Sequence, residues 1–163
     1  MAEELNACEV LDIAETMERN AARFYRKAAG VCDDSKLCKL FVELAQWEKR
    51  HVQMFAEMRD RLSKPSGKSG RFALEQVKGS VAEPLTPPVF GGADDPADEL
   101  AGNPTKSDVL KMAIRKEEDT IAYYTGLREF VPGQNNTQVI QGIIEEERRH
   151  VRLLAQSLEQ AYE

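Results

Sequence analysis

Glu48-Lys49-Arg50-His51-Val52 recurs as Glu147-Arg148-Arg149-His150-Val151, 99 positions later in the 163-residue chain. The same offset, without a gap, carries Leu11, Ala14, Glu18, Tyr25 and Leu44 onto Leu110, Ala113, Glu117, Tyr124 and Ile143. An aromatic pair follows it too, Phe24-Tyr25 matching Tyr123-Tyr124. A repeat that keeps register over both ends of such a stretch means two copies of one structural unit. Each copy reads as a helical hairpin.

Between the copies, at about residues 64 to 104, lie six of the seven prolines and six of the ten glycines. Such a stretch is a connector, not an element interior. Ser35 and Ser107 read as N-caps of the second and third helices, and Gly30 and Pro132-Gly133 as stops of the first and third. Helices are therefore expected at roughly 5 to 30, 35 to 63, 107 to 131 and 137 to 161. A helix of that length spans about 40 Å at ~1.5 Å per residue, a distance ~12 extended residues cover. The connector is long enough to run the whole length of a bundle. The expected fold is all-α: one domain over residues 1–163, an antiparallel four-helix bundle of two hairpins, about 5–63 and 105–161, joined by a long crossover. Composition agrees, since 31% charged and 7% aromatic residues suit solvent-washed helices better than a sandwich or barrel.

The chemistry lies on the inward stripes. Helix one places Leu11, Ala14, Glu18, Ala21, Tyr25 and Ala28 on one line, and helix three places Leu110, Ala113, Glu117, Thr120, Tyr124 and Leu127 there. The second helix offers Leu37, Phe41, Leu44, Glu48, His51, Phe55, Met58 and Leu62, the fourth Ile140, Ile143, Glu147, His150 and Leu154. Four carboxylates facing an apolar interior would cost several kcal/mol each if nothing neutralised them. No Lys or Arg shares those stripes. Either the acids are protonated, or two divalent cations balance four glutamates beside neutral imidazoles. The only two histidines both lie three residues after a glutamate and 33 after the inward glutamate of their own hairpin. Glu-x-x-His at that spacing puts both groups on one helical face, where they can converge on one ion. Oxygen and nitrogen donors without thiolate suit iron or manganese. Tyr25 and Tyr124 are core aromatics or hydrogen-bond donors to a ligand carboxylate, and so candidate catalytic residues. Trp47 reads as packing, and Glu118, Glu145 and Glu146 as a solvated acidic face or a route for cations.

With Glu18 and Tyr25, Glu48-x-x-His51, Glu117 and Tyr124, and Glu147-x-x-His150, both hairpins resemble the ferritin-like superfamily and, within it, the rubrerythrin-like di-iron proteins. The resemblance implies two iron ions, with manganese or a mixed pair as variants. It implies that Glu48 and Glu147 bridge them, that Glu18 and Glu117 are terminal ligands, and that His51 and His150 bind one ion each. Two features depart from the pattern. Thr120 stands where rubrerythrins carry a further glutamate, and the 163 residues contain no four-cysteine rubredoxin motif.

The function expected is a di-iron oxidoreductase acting on hydrogen peroxide or dioxygen, with an outside electron donor; the alternative is a protein that binds or sequesters iron without dedicated turnover. A metal-free bundle with protonated acids is the third reading. A net charge of −6 without a basic block argues against nucleic acid. The acidic start Met1-Ala2-Glu3-Glu4-Leu5 and the lack of a long apolar run argue against a secretory signal or a membrane span, which makes a cytoplasmic protein the expectation. Cys8, Cys32 and Cys38, an odd set without a Cys-x-x-Cys pair, read as reduced, mostly buried thiols. Val10 and Phe24, apolar positions off the inward stripe of helix one, point to a homodimer.

Overall fold

The computed structural model describes residues 6–64 and 96–162, the side chains of residues 96 and 97 apart. It holds four long helices, α1 (Ala7–Val31), α2 (Ser35–Ser63), α3 (Lys106–Phe130) and α4 (Gln134–Ala161), with a short 3-10 turn at Pro96–Leu100. No strand occurs among the described residues. Most of the expected 64–104 crossover, and residue 5, the expected start of the first helix, lie outside them.

The helix ends show which residues stop and start the chain. Asn6 caps α1 reciprocally: its side chain accepts from the N–H groups of Cys8 and Glu9, and Glu9 accepts from the N–H of Asn6. Two expected caps shift. Asp34, not Ser35, caps α2 by accepting from the N–H groups of Lys36 and Leu37, and Thr105, not Ser107, caps α3 in a box with Asp108. A carboxylate is the stronger acceptor beside the positive end of a helix, so Asp34 outcompetes its serine neighbour. Gly30 does not stop α1, which runs on through it to Val31. The third helix ends at Phe130, just before Val131-Pro132. Gly133, at φ 100°, then turns the chain directly into α4, three residues earlier than periodicity predicts.

Turns of three residues, 32–34 and 131–133, make each hairpin antiparallel, and α1 packs mainly along α2 as α3 does along α4. Lys106 pairs with Asp34, which fixes the start of α3 beside the α1–α2 turn. The chain leaves α2 at Lys64, the far end of a 29-residue helix, so it must return by about 40 Å, at ~1.5 Å per residue, to begin α3. That is the one-crossover order. The 3-10 turn lies against α1, with Leu100 buried and Glu99 paired to the buried Lys116 at 2.8 Å.

All the inward apolar positions on the four stripes are buried except Leu62, which packs on the edge of the core. Each fully buried Leu or Phe there contributes about 1.5–3 kcal/mol through lost apolar exposure. Val10 and Phe24 are also fully covered within the chain, Phe24 with the Lys116 ammonium over its ring. These two positions therefore offer no apolar face to a second copy. The three cysteines are free and partly buried. Among the described residues no helix is long and apolar enough to cross a membrane.

Candidate metal centre

Halfway along the bundle the four inward carboxylates and both imidazoles meet. Glu18 comes from α1, Glu48 and His51 from α2, Glu117 from α3, Glu147 and His150 from α4, and none is more than 1% exposed. They form two groups, each with donor atoms within 4.8 Å of one another: Glu18, Glu48, His51 and Glu147, and then Glu48, Glu117, Glu147 and His150. Glu48 and Glu147 belong to both. Glu147 turns Oε1 to His51 at 2.9 Å and Oε2 to His150 at 2.8 Å, and Glu48 turns Oε2 to His51 at 3.2 Å and Oε1 to His150 at 3.3 Å. Glu18 reaches only His51, at 3.6 Å, and Glu117 only His150, at 3.9 Å.

Hydrogen bonding alone does not satisfy this arrangement. His51 Nδ1 faces oxygens of three carboxylates, Glu147, Glu48 and Glu18, and His150 Nδ1 likewise faces Glu147, Glu48 and Glu117. One N–H proton serves one acceptor well, not three. Glu48 Oε1, both oxygens of Glu147 and His150 Nδ1 are buried without a hydrogen bond of good geometry. Buried polar atoms left unpaired cost about 1–3 kcal/mol each, more when charged. A divalent cation between each set of donors would satisfy them together, and four carboxylates with two neutral imidazoles match two such cations in charge. The residues fit a pair of oxygen-seeking metal ions.

Without cations the balance is struck by protons. Burial, and then repulsion from Glu147 and Glu48, pushes the Glu18 carboxyl well above its ordinary range, and burial with the same two neighbours does so for Glu117. For the imidazoles burial acts the other way but loses: Glu147 and Glu18 hold His51 well above its usual value, and Glu48 with Glu147 raises His150 to about 11. The shared glutamates are pushed upward by burial yet end below the ordinary range, pulled down by both imidazolium neighbours. Protons occupy the places that cations would take.

Above and below this layer the core is aromatic. Tyr25 stacks with Phe41 at 6.1 Å on one side, and Tyr124 tilts against Phe55 at 5.0 Å on the other. Both phenols reach back into the carboxylate layer across the hairpins: Tyr25 donates to Glu117, and Tyr124 to Glu18. Each tyrosine thus serves the glutamate of the opposite helix, not the one seven residues before it. Burial, then the carboxylates nearby, keeps both phenols neutral and able to donate. Thr120 is buried on the same stripe as Glu117, its hydroxyl without a partner.

Two neighbours were not read as parts of the site. His51 Nε2 lies 2.9 Å from Glu146 Oε2, and His150 stacks on Trp47 at 5.0 Å and 9°. The bond to His51, ahead of the burial that opposes it, holds Glu146 below the ordinary carboxylate range. An ionised carboxylate only accepts, so Nε2 must carry a hydrogen, and Nδ1 is the nitrogen that would turn a lone pair to a cation once its own proton leaves. The one hint in the sequence is that Glu146 directly precedes the Glu147-x-x-His150 motif.

Known proteins share this arrangement of helices. The Rubrerythrin family model matches residues 1–59, covering α1 and most of α2 with Glu18, Tyr25, Glu48 and His51. A crystal structure from Thermotoga maritima, described as that of a candidate ferritin-like diiron-carboxylate protein, superposes with a TM-score of 0.79 over 99% of both chains at 23% identity. The fold is ferritin-like. Both comparisons bear out the resemblance carried by the repeated motifs, the first for one hairpin and the second for the whole ferritin-like bundle. No curated protein matches the sequence.

Proposed function

We propose that this chain is a non-haem di-iron oxidoreductase of the rubrerythrin or ferritin-like type, which reduces hydrogen peroxide or dioxygen with electrons from an outside donor. The observation that carries this reading is the pair of buried carboxylate–imidazole groups that share Glu48 and Glu147. Glu48 and Glu147, common to both groups, would serve both ions, with Glu18 and His51 completing one set of ligands and Glu117 and His150 the other. Oxygen and nitrogen donors favour iron first and manganese second. A bound iron pair supplies the electrons for breaking an oxygen–oxygen bond.

The rest falls to the chain's own side chains. The Tyr25/Phe41 and Tyr124/Phe55 layers keep bulk water off the carboxylates, where a low dielectric strengthens every charge interaction. The phenols hold Glu117 and Glu18 in place through their O–H groups, and both stay protonated at neutral pH. A cytoplasmic location belongs to the same reading, supported by three free thiols that suit a reducing compartment.

The test is metal analysis joined to turnover. Protein produced with iron should carry about two ions per chain, and with a reductant present it should consume peroxide or dioxygen faster than the same iron free in buffer. Uptake of two ions with no such turnover would sink the catalytic reading. Accumulation of iron far beyond the pair would replace it with sequestration.

A further inference from the structure

The 99-residue repeat makes the two halves of the site alike in their ligands but not in what stands behind them. Position 47 is the repeat counterpart of position 146, and there the copies differ completely, tryptophan against glutamate. Behind His51, the Glu146 carboxylate accepts from the outer ring nitrogen at 2.9 Å while remaining about half exposed itself. Against His150 lies the indole of Trp47, stacked nearly parallel to the imidazole, with the Arg149 guanidinium 5.3 Å over the same indole. The ion-pair contacts of His150 all run to its inner nitrogen, Nδ1. An indole has one donor and no acceptor, so it positions the ring by packing and cannot fix which nitrogen carries the hydrogen.

We infer that this substitution within the repeat makes the two metal positions unequal: Glu146 is a positioning residue that holds His51 with its inner nitrogen free, so that a divalent cation fills the Glu18–His51 half before the Glu117–His150 half. The inference rests on the proposed two-ion centre. Its physical basis is twofold. A carboxylate accepting from the far side of an imidazole fixes the tautomer and makes the ring a stronger donor, and such partners are worth roughly 10–100-fold in metal affinity. The carboxylate also adds negative charge beside His51, which favours a cation there further. Trp47 gives His150 a rigid wall but neither of these effects.

Co(II), which has the charge of Fe(II) and resists oxidation in air, is the probe. Calorimetric titration of the metal-free full chain should show two steps, the first at least about tenfold tighter. Crystals given one equivalent should show anomalous scattering among Glu18, Glu48, His51 and Glu147. In Glu146→Ala the first step should weaken by about tenfold or more while the second stays within about twofold. Glu146→Gln, which keeps an acceptor but not the charge, should fall between. Two equal steps, first occupancy at the His150 half, or a Glu146→Ala effect that weakens both steps alike would overturn the inference while two-ion binding, and with it the proposed function, stands. A wild-type chain that takes up no pair of ions would overturn both.

Discussion

The two hairpins place the same carboxylates, imidazoles and phenols at the same register, and the comparison between them separates what the repeat conserves from what it leaves free. Glu18 and Glu117, Glu48 and Glu147, His51 and His150, Tyr25 and Tyr124 occupy equivalent places, and even the phenol–carboxylate bonds are reciprocal. The surroundings diverge. Glu146 stands against Trp47, and the orphaned hydroxyl of Thr120 against the methyl of Ala21. Groups that must meet on the bundle axis are held by a common geometry, whereas residues one layer out answer only to their own neighbours.

The comparison is broken most severely by removing its shared members. Glu147→Ala should abolish binding at both positions, because each group loses a ligand, and Glu117→Ala should cost only the ion on the His150 side. Metal analysis after dialysis reads the difference as none against one, and equal losses from the two variants would refute the bridging assignment.

Acidity gives the next effect. Imidazole protonation in the folded protein, raised above the ordinary value of 6.5, stabilises the metal-free chain fully below that value and is lost as pH climbs toward about 11 for His150. Glu18 and Glu117, raised above 4.5, act in the same sense. Glu48 and Glu147, held below 4.5, contribute stability that is lost only as pH falls through their folded values. From pH 6.5 to about 9 the metal-free protein should therefore melt at progressively lower temperature, while the gain in melting temperature on adding Mn(II) should grow as cations compete with fewer protons. Parallel curves with and without Mn(II) would show that the ion does not displace those protons.

The smallest effect sharpens the symmetry. Tyr25→Phe and Tyr124→Phe each delete one phenol–carboxylate bond, and each should cost about 1–3 kcal/mol in denaturant unfolding. Near-equal losses are expected from the reciprocal geometry; a difference above about 1.5 kcal/mol would show that the halves already differ at this layer.

Much of this was legible before any coordinates. Periodicity of 3.6 fixes which face of a helix looks inward, so the buried stripes and the six inward carboxylate and imidazole groups follow from spacing, and the proline-rich interval marks the crossover. Caps were read less well, since neighbouring polar residues compete for the same N–H groups and only the backbone decides between Asp34 and Ser35, or Thr105 and Ser107. The reading of Val10 and Phe24 as outward positions failed for a related reason, since both are fully covered within the chain. Position on a helix wheel does not reveal that Lys116, from another helix, lies over the Phe24 ring.

From its sequence alone the chain determines two repeated hairpins and an inner layer of four carboxylates and two imidazoles. Only the tertiary structure decides that Tyr25 serves Glu117, that Glu146 backs His51 and that Trp47 backs His150. The physical reason is that a period along one helix specifies a face, whereas contacts between helices depend on their relative rotation and axial offset, which packing of the whole core sets.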